Sequence, residues 1–156
     1  MKKAYITGAT GAIGMALVGE LLKNRISTTV FLRKDSGRND RVKDSFSGEL
    51  ARGLLRIEYV SLEELSGYAL SRNTQDMKTY ASQDLLTKAA GGADTAVFYH
   101  LGWSGTFGEQ RNDADMQQKN VEYTLDAVRL AKRLGCVHFI GVGSQAEYGR
   151  FDGRLT

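Results

Sequence analysis

A glycine triplet set between a strand-like run and a helix-like run constrains this chain more than any other feature. Ala4-Tyr5-Ile6-Thr7 is a short β-type run. Gly8-Ala9-Thr10-Gly11-Ala12-Ile13-Gly14 follows at once, and Ile13, Leu17, Leu21 and Leu22 then recur at helical spacing. Asn24 can close that helix, and Ser27-Thr28-Thr29-Val30-Phe31-Leu32 is β-branched and aromatic, as a second strand requires. The first thirty-two residues therefore read as a βαβ unit.

The rest of the chain repeats the pattern. Arg33 to Gly53 is polar and charged, with Val42, Phe46 and Leu50 at spacing four suggesting a short amphipathic helix on a surface crossover. Leu54 to Val60 alternates as a third strand. Ser66 to Gly92 holds one helix around Leu85, Leu86 and Ala89, and the stretch near Arg72-Asn73-Thr74 carries no clear pattern. Thr95 to Tyr99 and Phe139 to Val142 are continuous apolar strands of the buried parallel type. Between them Asp115 to Leu134 reads as a long helix. Val121, Leu125, Val128 and Ala131 form its apolar stripe, Ala127, Leu130 and Leu134 widen it, Lys132-Arg133 suit its carboxyl end, and Gly135 its stop. Strands alternating with helices call for an α/β, Rossmann-type doubly wound parallel sheet with right-handed crossovers, here of five strands in the order 3-2-1-4-5. Residues 1–156 are expected to form one domain.

Composition narrows the function classes. Glycine is 18 of 156 residues, about 12% against roughly 7% in average proteins, and it clusters at 8, 11 and 14, at 102, 105 and 108, and at 141, 143 and 149, each time at the end of a strand-like run. A formal charge of +3 is too mild and dispersed to argue for nucleic acid or a membrane surface. No apolar run approaches the ~20 residues of a membrane span, and Met1-Lys2-Lys3 leads straight into a strand, so a cytoplasmic protein is the default expectation. The one cysteine, Cys136, forbids an internal disulfide, and its surroundings suggest a small hydrophobe at the start of a buried strand. His138 has no Cys, His or carboxylate at ligand spacing, so no metal site is expected.

The chemistry gathers at the first turn. Amide groups of Gly8 to Gly14 and the following helix N-terminus can face a pyrophosphate: Gly8 for the tight turn, Gly11 for close approach of backbone to phosphate, Gly14 for close helix packing. Ala12 and Ile13 belong to the same turn. Arg33 ends the second strand, 19 residues after Gly14, where an NAD site places Asp or Glu on the ribose hydroxyls. A guanidinium there favours a 2′-phosphate, and Lys34, Ser36 and Arg38 add donors, so NADP is expected in preference to NAD although Asp35 lies close by.

Four motifs together carry a resemblance. Thr7-Gly8-x-x-Gly11-x-x-Gly14, Tyr99-His100-Leu101-Gly102, Asn120-Val121-x-x-Thr124 and Ser144-Gln145-Ala146-Glu147-Tyr148-Gly149, in that order, resemble the NAD-dependent epimerase/dehydratase family of the extended short-chain dehydrogenase/reductases. The resemblance implies an enzyme acting on a nucleotide-activated sugar by transient hydride transfer with a nicotinamide cofactor. It makes Ser144 the catalytic serine and places Leu101, Gly102 and Trp103 over the cofactor ribose. It also sets Asn120 near the site and Val142 and Gly143 under the nicotinamide. His100 it implies to be structural. Where the family carries an acidic residue near the adenine, this chain has Ser61-Leu62. Trp103 to Gly108 is an aromatic loop that can reach substrate. The resemblance further implies a homodimer through the helix over 115–134.

One pair expected of the family is missing. Its chemistry depends on Tyr-x-x-x-Lys, in which lysine lowers the tyrosine pKa, yet none of the seven tyrosines has a lysine four residues on. Two readings follow: the amino-terminal, cofactor-binding portion of a longer enzyme, inactive by itself, or a non-catalytic module that binds or senses NAD(P). The first is favoured, because Ser144 and its turn have no evident role without a catalytic partner.

Overall fold

Strand β1 (Lys3–Thr7) lies at the centre of a parallel sheet, because its alternating residues find apolar partners on both sides and both faces. The computed structural model describes residues 2–71 and 95–143. Its elements run β1, α1 (Ala12–Lys23), β2 (Ser27–Leu32), α2 (Asn39–Ser45), α3 (Ser47–Ala51), β3 (Leu55–Tyr59), a 3-10 turn (Leu62–Glu64), α4 (Leu65–Ser71), β4 (Ala96–His100), a second 3-10 turn (Glu109–Asn112), α5 (Ala114–Arg133) and β5 (Cys136–Gly141). The strands pair in the order β3-β2-β1-β4-β5, all parallel, as the alternation of elements predicts. Connections run outward from β1 on one side as far as β3, then cross back to β4, so the loops after β1 and β4 become neighbours.

The two sheet faces differ chemically. One is aliphatic: Ala4, Ile6, Val30, Leu32 and Leu55 pack against Val18, Leu21 and Leu22 of α1 and against Val42, which is fully buried. The other is aromatic, with Phe31, Tyr5, Phe98 and Phe139 from four strands stacked at centroid spacings of 5.7–6.4 Å. Over this row lie Leu65, Ala127, Leu130 and Ala131. Period-two alternation along the strands produces the segregation.

Local chemistry sets the element ends. Asp113 caps α5, its carboxylate accepting from the Asp115 and Met116 amides at 3.0 and 3.2 Å. Ser61 and Glu64 form a reciprocal box at the 3-10 turn, the Ser61 amide and hydroxyl both donating to Glu64 Oε2 at 2.8 and 2.9 Å. The spacing of Val42, Phe46 and Leu50 yields two short helices that break at Phe46, with all three side chains still meeting the same core.

Two expectations need correction. Of the stripe, Val121, Leu125 and Val128 are 41–48% exposed and only Ala131 is buried, and it packs on the sheet together with Ala127 and Leu130 of the adjacent row. The helix is apolar over an arc wider than one packing face, so periodicity could not choose between rows. Strand β5 is an exposed edge instead of a buried strand: Val137 is 54% and Ile140 44% exposed, although Phe139 still joins the aromatic row. Cys136 is half-buried beside that core, and burial pushes its thiol up to about 11. The helix expected around Leu85 lies outside the described residues, and among these no helix is long and apolar enough to cross a membrane.

Candidate functional site

The carboxyl ends of four strands enclose a cleft of about 260 Å³. Gly8 to Gly11 after β1 form its floor, Phe31 to Arg33 with Ser36, Arg38 and Asn39 form the β2 side, Val60 to Glu63 follow β3, and Leu101 to Ser104 form the wall after β4.

Glycine is required at the floor. Gly8 has φ +74°, and a Cβ there would lie 2.6–2.7 Å from the Leu101 carbonyl and the Gly102 nitrogen. A Cβ on Gly14 would collide with the Gly8 carbonyl oxygen and the Ala9 backbone, so Gly14 packs α1 against the turn itself. Gly11 is different: its Cβ would meet only the Gly8 oxygen at 3.5 Å, an ordinary contact. Gly11 is also the α1 N-cap, with no side-chain cap hydrogen bond and no acidic residue in the first turn. The helix therefore presents uncapped amides and a positive dipole end.

On the β2 side, Asn39 holds the loop. Although 95% buried, it donates through Nδ2 to the carbonyls of Arg33 at 2.9 Å and Lys34 at 3.1 Å. Those two bonds fix the amide's orientation and leave Oδ1 buried without a partner. Arg33 and Arg38 are exposed at the rim, and Ser36 Oγ accepts from the Arg38 amide at 3.3 Å.

Glu63 stands across the cleft. Burial raises its pKa, but hydrogen bonds from its own amide, Ser61 and Tyr123, with the charge of Arg33, outweigh that and lower it overall. The cleft thus holds an ionised carboxylate opposite its guanidinium. Tyr123 on α5 is shifted up by burial and by Glu63.

The wall after β4 is anchored from behind. His100, buried at the end of β4, contacts Thr7 and Thr124, and burial lowers its pKa to about 4. A Cβ on Gly102 would be crowded by the Leu62 side chain at 3.0 Å and Thr7 Oγ1 at 3.2 Å, which would have to give way by a few tenths of an ångström.

Of the residues expected at a cofactor site, Gly8, Gly11, Arg33, Ser36, Ser61, Leu62, Leu101, Gly102 and Trp103 line the cleft together. Lys34 is exposed and contributes its carbonyl to Asn39, while Ala12, Ile13 and Gly14 form the start of α1 beside the lining. Asn120 stands behind the wall, bonded to Ser104. Val142 and Gly143 are exposed beyond β5 and do not line the cleft, and Ser144 lies outside the described residues. Sequence reasoning missed Thr7, Asn39 and Glu63. An acidic residue does follow β3, two positions beyond Ser61, and that was the available signal for Glu63.

A parallel sheet in this order, with a glycine-floored cleft at the carboxyl ends of its strands, defines the Rossmann class of fold. Residues 4–155 match the NAD dependent epimerase/dehydratase family, and the chain belongs to it. Among solved structures it resembles a UDP-glucose 4-epimerase at 15% identity and TM-score 0.64, over 99% of this chain and 39% of that one. It also resembles yeast methylglyoxal/isovaleraldehyde reductase complexed with NADPH, at 13% identity and TM-score 0.55, over 92% of this chain and 37% of that one. A third is an actinorhodin polyketide ketoreductase with NADPH, at 14% identity and TM-score 0.54, over 97% and 56%. Such identities establish the fold alone. The chain thus spans about two-fifths of the epimerase's length, and no curated protein matches it significantly.

Proposed function

We propose that this chain is the dinucleotide-binding portion of an NAD(P)-dependent oxidoreductase acting on a nucleotide-activated sugar. The observation that carries the reading is the floor of the cleft: a left-handed Gly8 against the β4 wall, followed by an uncapped helix N-terminus without acidic neighbours. Those features suit a pyrophosphate, since they offer amide donors and a partial positive charge. The buried, unpartnered Asn39 Oδ1 and the rim donors Arg33, Ser36 and Arg38 suit the adenosine half. A bound nicotinamide would supply hydride acceptance and return. Membership of the family supports the nucleotide-sugar substrate.

Within this reading NADP is preferred over NAD, because two guanidinium groups and a serine ring the corner beyond β2. Glu63 opposes that preference by pairing electrostatically with Arg33 and does not reverse it, since Arg38 remains. Ser144 is the catalytic serine, the protein works in the cytoplasm, and the exposed row Val121, Leu125 and Val128 on α5 joins two copies. Calorimetric titration of both dinucleotides tests the reading: NADP binding tighter than NAD is expected, and the failure of either to bind would reject it.

A further inference from the structure

Both ring nitrogens of His100 are engaged by threonine hydroxyls, one from β1 and one from α5. Nδ1 lies 2.8 Å from Thr7 Oγ1 on β1, and Nε2 lies 3.2 Å from Thr124 Oγ1 on α5. With the Thr124 hydroxyl donating to the Asn120 carbonyl at 2.9 Å, its oxygen accepts from the histidine and the ring proton sits on Nε2. Nδ1 is then an acceptor that Thr7 satisfies. The Thr7 oxygen in turn accepts the Gly102 amide at 3.2 Å.

The chain of bonds continues beyond Thr124. Asn120, almost fully buried, accepts from the Ser104 amide at 2.9 Å and donates to the Ser104 carbonyl at 2.8 Å. It also donates to Gln117 Oε1 at 3.2 Å, and the same oxygen accepts the Trp103 indole N–H at 2.9 Å. Three consecutive wall residues are therefore tied down: Gly102 through Thr7, Trp103 through Gln117, and Ser104 through Asn120.

We propose that His100 is a positioning residue which, as the Nε2–H tautomer acting through Thr7 and Thr124, fixes Gly102–Ser104 as a preorganised wall of the cleft. Three of the wall's amides are turned inward, since Leu101 N–H goes to the Thr7 carbonyl at 3.2 Å and the Gly102 and Ser104 amides are spent on Thr7 and Asn120. A ligand consequently meets shape and the Trp103 indole along this side instead of a row of donors. This goes beyond the dinucleotide reading and does not depend on which ligand the cleft takes.

Trp103 is the single tryptophan of the chain, so its fluorescence reports this wall alone. Thr124→Val removes donor and acceptor at nearly constant shape, whereas Thr124→Ser keeps both. With Trp103 already 46% exposed, full release of the wall can raise its acrylamide quenching constant at most about two-fold. The expected result, well below the unfolding midpoint, is a rise toward that limit in Thr124→Val and none in Thr124→Ser. A simple stabilising role would lower the midpoint without moving the quenching. No rise in Thr124→Val, or equal rises in both variants, overturns the proposal. Imidazole nitrogen chemical shifts of the unaltered protein decide independently of any variant: a protonated Nε2 and bare Nδ1 are expected, and a proton on Nδ1 overturns the relay.

Discussion

Gly8 and Leu101 stand back to back across the floor of the cleft, so close that a Cβ on Gly8 would lie 2.6 Å from the Leu101 carbonyl carbon. Gly8→Ala must therefore shift one of two backbone segments and hold alanine at φ +74°. A left-handed non-glycine residue alone costs about 1–3 kcal/mol. Denaturant unfolding should show at least that loss. Gly11→Ala meets only an ordinary contact and loses no more than a favourable helix N-cap, about 1 kcal/mol, so it should cost less stability than Gly8→Ala while weakening dinucleotide binding. Equal stability losses in the two variants would contradict this division of roles.

Arg33→Ala tests the corner beyond β2. Removing a charged hydrogen-bond donor should cost NADP about 1.5–3 kcal/mol of binding and NAD little. Titration calorimetry on both nucleotides measures the difference, and equal losses would remove Arg33 from the 2′-phosphate role.

His100 should make stability depend on pH. Its folded pKa is about 4 and its ordinary value 6.5, so between those values the unfolded chain takes up a proton that the folded chain refuses. Stability is complete above pH 6.5 and falls as pH drops through that window, by up to about 3 kcal/mol. His100→Gln should flatten this part of the urea-midpoint profile relative to the unaltered protein. An unchanged slope would show that the imidazole titrates normally.

The exposed row on α5 should mediate self-association. Sedimentation at high protein concentration should give a dimer or larger species, and Leu125→Lys should shift it to monomer, since a lysine head cannot be buried there without a partner. A monomer before substitution would exclude the row as an interface.

By itself the 156-residue chain should not turn over a nucleotide sugar. In the catalytic role proposed for it, Ser144 would orient a hydroxyl but is too weak a base to take its proton, and general acid–base assistance is typically worth about 10²–10⁴-fold. Absorbance assays with NADP and a nucleotide sugar should read background. Turnover abolished by Ser144→Ala would show that the site is complete within these residues.

Much of the fold was legible because it depends on local period. The segment Ser27–Leu32 was recognisable as a strand from its β-branched and aromatic residues alone, and the alternation of elements led to the order 3-2-1-4-5. Surfaces were less legible. Val128 and Ala127 are adjacent in sequence, and which of them faces the sheet is settled by tertiary packing, not by helical periodicity. At the site, glycines and Arg33 announce themselves through backbone geometry and charge. Asn39, Thr7 and Glu63 do not, because their roles rest on bonds to carbonyls and hydroxyls brought together only by the folded sheet. Thr7 and His100, for example, are 93 positions apart.

That separation bears on how the protein comes to exist as a binder. β1, α1 and β2 can assemble from neighbouring sequence, but the cleft needs β4 laid against β1, with Thr7 in register with His100. Loop closure on that scale is entropically costly and slow relative to local steps. Binding competence should therefore arrive late in refolding, after the first βαβ unit has formed. A ligand that needs both walls recognises only the completed topology, and mass action then makes it a stabiliser of that topology as a whole.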